Sequence, residues 1–259
     1  MPPLILKEAY WKILSRVNRR NLRITGLPTV SFTFDDFPKS ALAAGGAILK
    51  QHGLRGTYYA AMGLMNCINQ FGEHFDAQDL EQLLRDGHEL GGHTYSHVSC
   101  REMSALLYRK EVTKGQAAVM HVTGCNKTPS FAYPMGHVNI SAKKAAGAES
   151  YSCRCSRAGI NRELSDRNLL RANRLYMDFA AVEDLVSRTL QCKGWLIFYT
   201  HDVCSNPSPF GCTPEYFDRV VQLTMRAGLR ILPVGEALSS YLQAGDSTGQ
   251  TVAGSSAAE

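Results

Sequence analysis

No stretch of this sequence is continuously apolar over the roughly 20 residues that a membrane-spanning helix requires. The N-terminus also lacks the pattern of a secretory signal, because Lys7 and Glu8 interrupt a very short apolar run and no small-residue cleavage site follows. We therefore expect a cytoplasmic location. In that compartment the 8 cysteines should be mostly reduced thiols rather than disulfide partners.

A strong excess of charge of either sign is missing as well. The 28 Lys and Arg residues and 23 Asp and Glu residues give a net charge of +5, without a dense basic block or basic residues interleaved with aromatic ones. Nucleic-acid-binding surfaces show such clustering, so we expect no nucleic-acid partner. The chain has 259 residues, of which 44% are hydrophobic and 20% charged, as in a globular protein with one substantial core.

Segments with strand and helix patterns alternate along most of the chain, with no sequence repeat of about 20 to 50 residues beyond that alternation. Apolar β-rich runs such as Val30–Phe34 and Trp195–Thr200 predict buried strands. Helical spacing of apolar residues after a capping Asp76 or Ser104 predicts helices between strands. About seven or eight such units predict an α/β fold, a single-domain, TIM-barrel-like parallel (β/α)7-8 barrel.

Two segments flank the predicted barrel of residues 30–243. Residues 1–29 contain a basic amphipathic helix near residues 7–20, which could pack across the base of the domain or make a weak contact with an anionic membrane surface. The sequence leaves both interpretations open. Residues 244–259 are rich in Gly, Ser, Thr and Ala and have too little apolar content to pack, so we expect a flexible tail.

Two pairs of candidate metal-binding residues follow predicted strands. His93 and His97 have the four-residue spacing that brings two imidazoles to one side of a helical turn. Asp35 and Asp36 end the run Val30–Phe34, at the position where parallel α/β folds place their chemistry. Taken alone, each pair also has a plain structural interpretation, as solvated helix residues or as a turn with a helix cap.

Two further strand ends carry candidate residues, Tyr133 and His201. Strand ends of a parallel barrel converge on one face, so we expect these residues to meet the aspartates and the histidine pair. One carboxylate with two imidazoles suits zinc, with cobalt, nickel or manganese as alternatives, and leaves a position open for water. The other histidines are interpreted as surface or helix-end residues: His52, His74, His88, His121 and His137.

Three of these segments resemble the motifs of the polysaccharide deacetylases, carbohydrate esterases of family 4 that share a homology domain with nodulation chitooligosaccharide deacetylases. Thr33–Asp36 is similar to the family's first motif, His93–His97 to its second and Tyr199–His201 to its last. The resemblance extends from about Val30 to Leu238. It implies a distorted barrel and a metal-dependent hydrolase that removes N-acetyl, or O-acetyl, groups from an amino-sugar oligomer, a polysaccharide or a precursor.

The resemblance also implies a role for each matched residue. Asp35 would be the catalytic base, and Asp36, His93 and His97 would hold one divalent ion. Such an ion lowers the pKa of bound water to roughly 7, so that Asp35 can take a proton from the attacking water while His201 protonates the leaving amine. An acetylated saccharide is thus the expected partner, while the oligomeric state stays open.

The third motif departs from the family's common Arg-x-Pro-Tyr form, because Ala132-Tyr133-Pro134-Met135 stands in its place. The oxyanion donor of this turn is then the backbone N–H of Met135, and the arginine that orients the base is missing locally. Arg171 is the candidate replacement because it follows an apolar pair at the next predicted strand. Arg174 is the alternative.

Two other functions remain open on the same fold. Related domains hydrolyse non-sugar amides or cyclic imides, and some of them lack this metal triad, so the intact triad favours the deacetylase. A carbohydrate-binding relative with weakened catalysis is the third interpretation. The complete set of base, acid and ligands argues against it, whereas the altered Ala132-Tyr133-Pro134-Met135 turn keeps it open.

Overall fold

The alternation of strands and helices is present in the computed structural model, which describes residues 4–250 and the side chains of residues 8–244. The helices are α1 (Leu4–Arg16), α2 (Ala47–Gln51), α3 (Ala77–Arg85), α4 (Ala105–Thr123), α5 (Ile140–Glu149), α6 (Phe179–Cys192), α7 (Pro214–Arg226) and α8 (Val234–Gln250). The strands are β1 (Asn21–Ile24), β2 (Thr29–Asp35), β3 (Thr57–Ala60), β4 (Ile68–Asn69), β5 (Gly72–Glu73), β6 (Glu89–Gly92), β7 (Thr128–Ala132), β8 (Ser150–Arg154), β9 (Glu163–Asp166), β10 (Asn173–Arg174), β11 (Trp195–Thr200) and β12 (Arg230–Ile231).

One parallel sheet, ordered β10–β11–β2–β3–β6–β7–β8, curls around the core, and β12 pairs with the first residues of β2. Beyond β8 the curl continues through Leu170, which forms a parallel bridge with Arg154 and whose N–H donates to the carbonyl of Cys153 at 2.9 Å. The segment then leads into β10 on the far side of the sheet. The strands therefore form a distorted barrel, which confirms the predicted fold class.

Aromatic side chains from β2 and its neighbours fill the space between the sheet and its helices. Every residue of β2 is buried, as expected for a parallel strand that is covered on both faces. Phe34 stacks on Tyr58 with ring centroids 4.6 Å apart, and Phe32 packs against Phe198 at 6.0 Å and against Phe217 of α7 at 5.5 Å. Such pairs contribute about 0.5–1.5 kcal/mol each beyond their burial. Ring packing of Phe32 and Phe34 therefore fixes the position of the carboxyl end of β2, where Asp35 lies.

The helix starts agree with the sequence prediction at two positions and differ at a third. The side chains of Asp76 and Ser104 accept hydrogen bonds from backbone N–H groups in the first turns of α3 and α4, so both predicted caps are confirmed. Ser40, by contrast, makes no side-chain cap hydrogen bond. The helix predicted to follow it begins as a π-helix at Ala41–Gly46 before it continues as α2.

The N-terminal helix α1 packs onto the domain. Leu14 is fully buried in an apolar cluster with residues of α4, α5 and β8, and the Tyr10 hydroxyl donates to the carbonyl of Val138 at 2.6 Å. The ammonium of Lys143 in α5 donates to the carbonyls of Leu14 and Val17 at 2.5 and 2.7 Å. These contacts favour packing across the domain, which is one of the two interpretations of this helix.

The predicted C-terminal boundary of the barrel falls within a helix. Because α8 extends to Gln250, residues 244–250 of the predicted flexible tail have helical backbone. The remainder of that tail, residues 251–259, lies outside the described residues. Within residues 4–250, no helix combines the length and the hydropathy needed to cross a membrane.

Lys143→Met should destabilise the fold because it leaves Asp166 buried without its cation. The Nζ of Lys143 lies 2.5 Å from Oδ2 of Asp166, and the two side chains are 0% and 5% exposed. Removing one partner of a buried ion pair costs about 3–5 kcal/mol, so urea unfolding should show a free energy of unfolding lower by that amount. Lys144→Met, at an exposed neighbouring position, is the matched control. Equal losses in the two variants would contradict this role.

Candidate metal centre and active site

The two aspartates are separated by a sharp turn at the end of β2. Asp35 is the last residue of the strand, and Asp36 and Phe37 follow with left-handed backbone at φ 62° and 57°. Phe37 is held in that conformation by stacking on Phe75, with ring centroids 4.9 Å apart. The turn redirects the chain, so both carboxylates can serve one site although adjacent strand residues point to opposite faces.

The histidine segment after β6 is an irregular turn, so the predicted helical turn is wrong. Thr94 and His97 have left-handed backbone at φ 59° and 52°, and residues 93–97 contain bends without helix. Helix α4 supports the segment, because a Cβ at Gly115 would lie 2.6 Å from the Thr94 backbone. The side chain of Glu111 also accepts the Ser96 N–H at 2.8 Å. Left-handed residues other than glycine cost about 1–3 kcal/mol each and cluster at functional sites.

Asp36, His93 and His97 converge as the sequence predicts. Their potential ligand atoms all lie within 4.8 Å of one another. The Nε2 atoms of His93 and His97 are 3.3 and 3.1 Å from Oδ1 of Asp36. Asp36 and His93 are buried, whereas His97 is partly exposed, so the group is open on one side.

The hydrogen bonds around these residues fit a divalent cation. Nδ1 of His93 lies 2.7 Å from the carbonyl of Ala132, which can only accept, so Nδ1 carries the proton and Nε2 presents a lone pair. Oδ1 of Asp36 is buried and has no hydrogen-bond partner among the described residues. A carboxylate oxygen that faces nitrogen lone pairs is unfavourable unless a cation lies between them. Carboxylate and imidazole donors suit zinc.

Electrostatics keep Asp36 and His97 in the protonation states that a metal requires. Burial alone would raise the pKa of Asp36, but the close contact with His93 and the charges of His97 and His201 hold it well below its ordinary value. Burial and the neighbouring His93 lower the pKa of His97 to about 4. At neutral pH the site therefore offers a carboxylate and an unprotonated imidazole.

Asp35, the predicted base, is paired with an arginine that sequence reasoning missed. A guanidinium nitrogen of Arg154 at the end of β8 forms a short ion pair with Oδ1 of Asp35. Arg154 is 1% exposed, and its guanidinium lies over the rings of Tyr59 and Tyr199 at 4.7 and 5.2 Å from their centroids. Burial lowers the pKa of Arg154 to about 10, so it remains a cation at neutral pH.

The structure therefore corrects the choice of Arg171 as the residue that orients the base. The Arg171 guanidinium donates to the carbonyl of Ala158 at 2.9 Å, and the alternative Arg174 is exposed. Arg154 is instead the direct neighbour of Ala132 across the β7–β8 pair. The cation that the third motif lacks at position 132 is thus supplied one strand further along. The available signal in the sequence was its place between two cysteines in the short run Tyr151–Cys155, where alternate residues are spaced as in a strand.

His201 follows β11 and lies beneath aromatic side chains. Its Nδ1 is 3.2 Å from the carbonyl of Phe210, so this nitrogen donates and Nε2 is left for other partners. Phe71, at the tip of the β4–β5 hairpin, stacks on the imidazole with centroids 4.9 Å apart. Asp202 holds the loop that carries Phe210, because its carboxylate accepts the N–H and hydroxyl of Ser208 at 2.7 and 2.5 Å. Burial lowers the pKa of His201, whereas the charge of Asp36 acts in the opposite direction.

The Tyr133 turn contributes backbone atoms to this region rather than a phenol. The Tyr133 ring is buried against Phe131, and its hydroxyl donates to the carbonyl of Asn168 at 3.0 Å. Met135 has left-handed backbone at φ 56° and a side chain that is 52% exposed. The carbonyl of Ala132 in the same turn orients His93.

The interpretation of His74 and His88 as surface or helix-end residues is wrong. His74 is 0% exposed, and its Nδ1 lies 3.0 Å from the backbone carbonyl of Asp36, so it supports the turn at Asp36 from behind. His88 is 4% exposed and accepts the N–H of Gly56 at 3.0 Å. Each histidine is buried against a residue far away in the chain, Asp36 for His74 and Gly56 for His88, which local spacing alone does not reveal.

Polar residues gathered at the carboxyl ends of curled parallel strands define an α/β-barrel protein with a candidate active site at that face. The chain belongs to the polysaccharide deacetylase family, since the family model of that description matches residues 23–153. This match confirms the resemblance that the motifs indicate. It includes both aspartates and the histidine pair, whereas Arg154 and His201 lie beyond it.

Relatives of this chain include one curated protein and several solved structures. A chitin deacetylase of Arthroderma benhamiae is 29% identical over 111 residues, which are 40% of this chain and 28% of that protein. A peptidoglycan deacetylase from Bacillus subtilis has a TM-score of 0.57 at 15% identity, covering 89% of this chain and 98% of that one. A family 4 carbohydrate esterase from Streptomyces lividans in complex with acetate has a TM-score of 0.53 at 19% identity, covering 79% and 91%. At these identities the solved structures support the barrel fold alone.

The purified protein should contain about one divalent ion per chain, and His97→Ala should lose most of it, because three protein ligands are typical of a catalytic zinc site. Elemental analysis by mass spectrometry after dialysis measures the content. His121→Ala, which removes an exposed histidine of α4, is the control and should keep the ion. Equal metal content in the two variants would argue against the Asp36, His93 and His97 site.

Arg154→Lys should lower kcat by about ten-fold or more with little change in metal content, because an ammonium keeps the charge but not the forked donors that fix a carboxylate. Arg171→Ala is the matched comparison, and its kcat should remain within about two-fold of the wild type since its guanidinium contacts Ala158. The reverse order of effects would restore Arg171 as the orienting residue.

Proposed function

We propose that this chain is a metal-dependent deacetylase that hydrolyses an N-acetyl group on an amino-sugar oligomer, a polysaccharide or its precursor. The observation that carries the proposal is the buried Oδ1 of Asp36, which faces the Nε2 atoms of His93 and His97 without a hydrogen-bond donor. A buried anionic oxygen without a donor is costly unless a cation binds there. Membership of the polysaccharide deacetylase family supports deacetylation as the type of reaction.

Asp35 acts as the general base in this proposal. A divalent ion held by Asp36, His93 and His97 would supply Lewis acidity at the site and would lower the pKa of water there to near neutral. The carboxylate of Asp35 removes the proton of the attacking water, and Arg154 keeps that carboxylate from turning towards the ion. The pairing matters because a free carboxylate beside a dication would otherwise become an additional ligand.

His201 acts as the general acid on the opposite side of the acyl group. Its Nδ1 proton is committed to the carbonyl of Phe210, so His201 enters this step as the imidazolium, gives its Nε2 proton to the leaving amine and returns to the neutral form. Protonation is required because an amide nitrogen is a poor leaving group as an anion. The backbone N–H of Met135, in the turn next to His93, is the proposed donor to the developing oxyanion.

A saccharide suits the aromatic surroundings of His201. Phe71 stacks on the imidazole, and Phe210 is 45% exposed with its ring packed edge-on against Tyr176 at 5.9 Å. Exposed aromatic faces at a site offer apolar area to the C–H face of a sugar ring, while the catalytic side chains supply its polar partners. This arrangement favours an acetylated sugar over a small, fully polar amide.

Acetate release from N-acetylated chitooligosaccharides and peptidoglycan fragments, with and without a chelator, tests the activity. Asp35→Asn and His201→Ala should each lower turnover by about 100- to 10,000-fold, since each removes one proton-transfer step. Both variants should retain the ion, and His121→Ala should match the wild type.

The same assay separates the other candidate functions. Saccharide binding without any acetate release would identify a binding relative with weakened catalysis. Hydrolysis of cyclic imides without activity on acetylated sugars would identify the alternative amide hydrolase. Near-normal turnover of Asp35→Asn would show that another residue is the base.

A further inference from the structure

A concave site lies outside the barrel, away from the candidate active site. It is a cleft of about 710 Å³ between α1, the segment from Cys155 to Ser165, and α6. Five arginines line it, namely Arg19, Arg157, Arg162, Arg171 and Arg188. The same lining contains only two carboxylates, Glu163 and Asp166, so guanidinium groups outnumber carboxylates in the cleft.

The barrel wall separates this cleft from the candidate active site. Arg154 contacts Asp35 inside the barrel, whereas the next residue, Cys155, lines the cleft outside it. Asn161, which also lines the cleft, pairs with Trp195 at the amino end of β11, and His201 follows the carboxyl end of the same strand. The cleft is therefore a distinct site and takes no part in the proposed deacetylation.

The positive charge of the cleft is only partly compensated. Among the described residues, Arg157, Arg162 and Arg171 form no ion pair with a carboxylate, and the carboxylate of Asp166 is occupied by Lys143. Only Arg188 of the five is paired, with Asp184 at 3.1 Å on the exposed face of α6. Like charges gathered in a concave surface create a focused positive potential that attracts anions.

Two of these guanidinium groups are held in fixed positions. Arg171 is half-buried, and its guanidinium donates to the carbonyl of Ala158 at 2.9 Å. The backbone approaches it closely because Gly159 lies beside it, where a Cβ would come within 3.0 Å of the Arg171 side chain. Arg157 lies over the ring of Trp11, 5.3 Å from its centroid. Burial, followed by the charge of Arg157, lowers the pKa of Arg171, as expected when a cation is held near others.

We propose that this cleft binds a ligand bearing phosphate groups. Guanidinium groups present forked N–H donors that match the oxygens of phosphate in a bidentate manner, and a ligand with more than one negative charge balances several arginines at once. The fixed positions of Arg157 and Arg171 reduce the entropy that binding would otherwise cost. The phosphate can belong to a soluble molecule or to a lipid headgroup, and both sources meet the same side chains.

Titration of the full-length protein with inorganic pyrophosphate tests the phosphate chemistry. Trp11 lies against Arg157, while the other tryptophan, Trp195, is 0% exposed, so a saturable change in tryptophan fluorescence reports on the cleft. Replacing Arg157 and Arg162 together by Gln should weaken binding by about 100-fold or more, since each hydrogen bond to a charged group is worth about ten-fold. Arg109→Gln with Arg226→Gln, two exposed arginines elsewhere, is the charge-matched control.

Sedimentation with vesicles distinguishes the two sources of phosphate. Phosphatidylglycerol mixed with phosphatidylcholine is compared with phosphatidylcholine alone, using the wild type and both double variants. Saturable pyrophosphate binding that the Arg157 and Arg162 variant loses would support a soluble ligand. Binding to the anionic vesicles only, lost in the same variant, would support a headgroup. Binding of neither probe, equal binding by this variant, or a signal that sodium chloride of matched ionic strength reproduces would overturn the proposal.

Discussion

The whole site depends on the left-handed turn that Asp36 and Phe37 make where β2 ends. Residues other than glycine in this conformation cost about 1–3 kcal/mol each. Packing of Phe37 against Tyr58 and Phe75 in the aromatic core offsets that cost. Without the turn, consecutive strand residues would point to opposite faces, and Asp35 and Asp36 could not serve one centre. Core packing therefore determines that Asp36 faces His93 and His97 while Asp35 pairs with Arg154.

The parallel register of β7 and β8 explains how the site keeps an arginine although its third motif lacks one. Ala132 and Arg154 are direct neighbours across this pair, so their side chains leave the same face of the sheet. An arginine on β8 therefore reaches the space that an arginine at position 132 would occupy. The tyrosine rings beneath the guanidinium remove it from water, which strengthens its attraction for Asp35. In the family's common motif the arginine and the turn belong to one segment. In this chain the turn follows β7, whereas the arginine lies on β8.

The end of β8 also separates two charged regions of the molecule. Arg154 points into the barrel and pairs with Asp35, whereas the chain beyond it carries Arg157 and Arg162 to an outer cleft with few carboxylates. The inner arginine is neutralised by its partner, Asp35. The outer arginines remain available, because the nearby carboxylate of Asp166 is occupied by Lys143. Arginine is therefore paired with a carboxylate inside the barrel, whereas Arg157 and Arg162 outside it have no carboxylate partner among the described residues.

Residue type and spacing were sufficient to predict the α/β barrel, the caps at Asp76 and Ser104, and the convergence of the aspartate pair with the histidine pair, whereas the choice of Asp36 over Asp35 as the neighbour of the histidines came from the family resemblance. Those features depend on local hydrogen bonding, on hydrophobic periodicity and on the rule that parallel strand ends meet. Tertiary structure alone decided that Arg154 rather than Arg171 pairs with Asp35 and that His74 lies buried behind the turn at Asp36. It also decided that Phe71 covers His201. Each of these contacts joins residues far apart in the chain, and their geometry follows from strand register and loop folding, which no local pattern encodes.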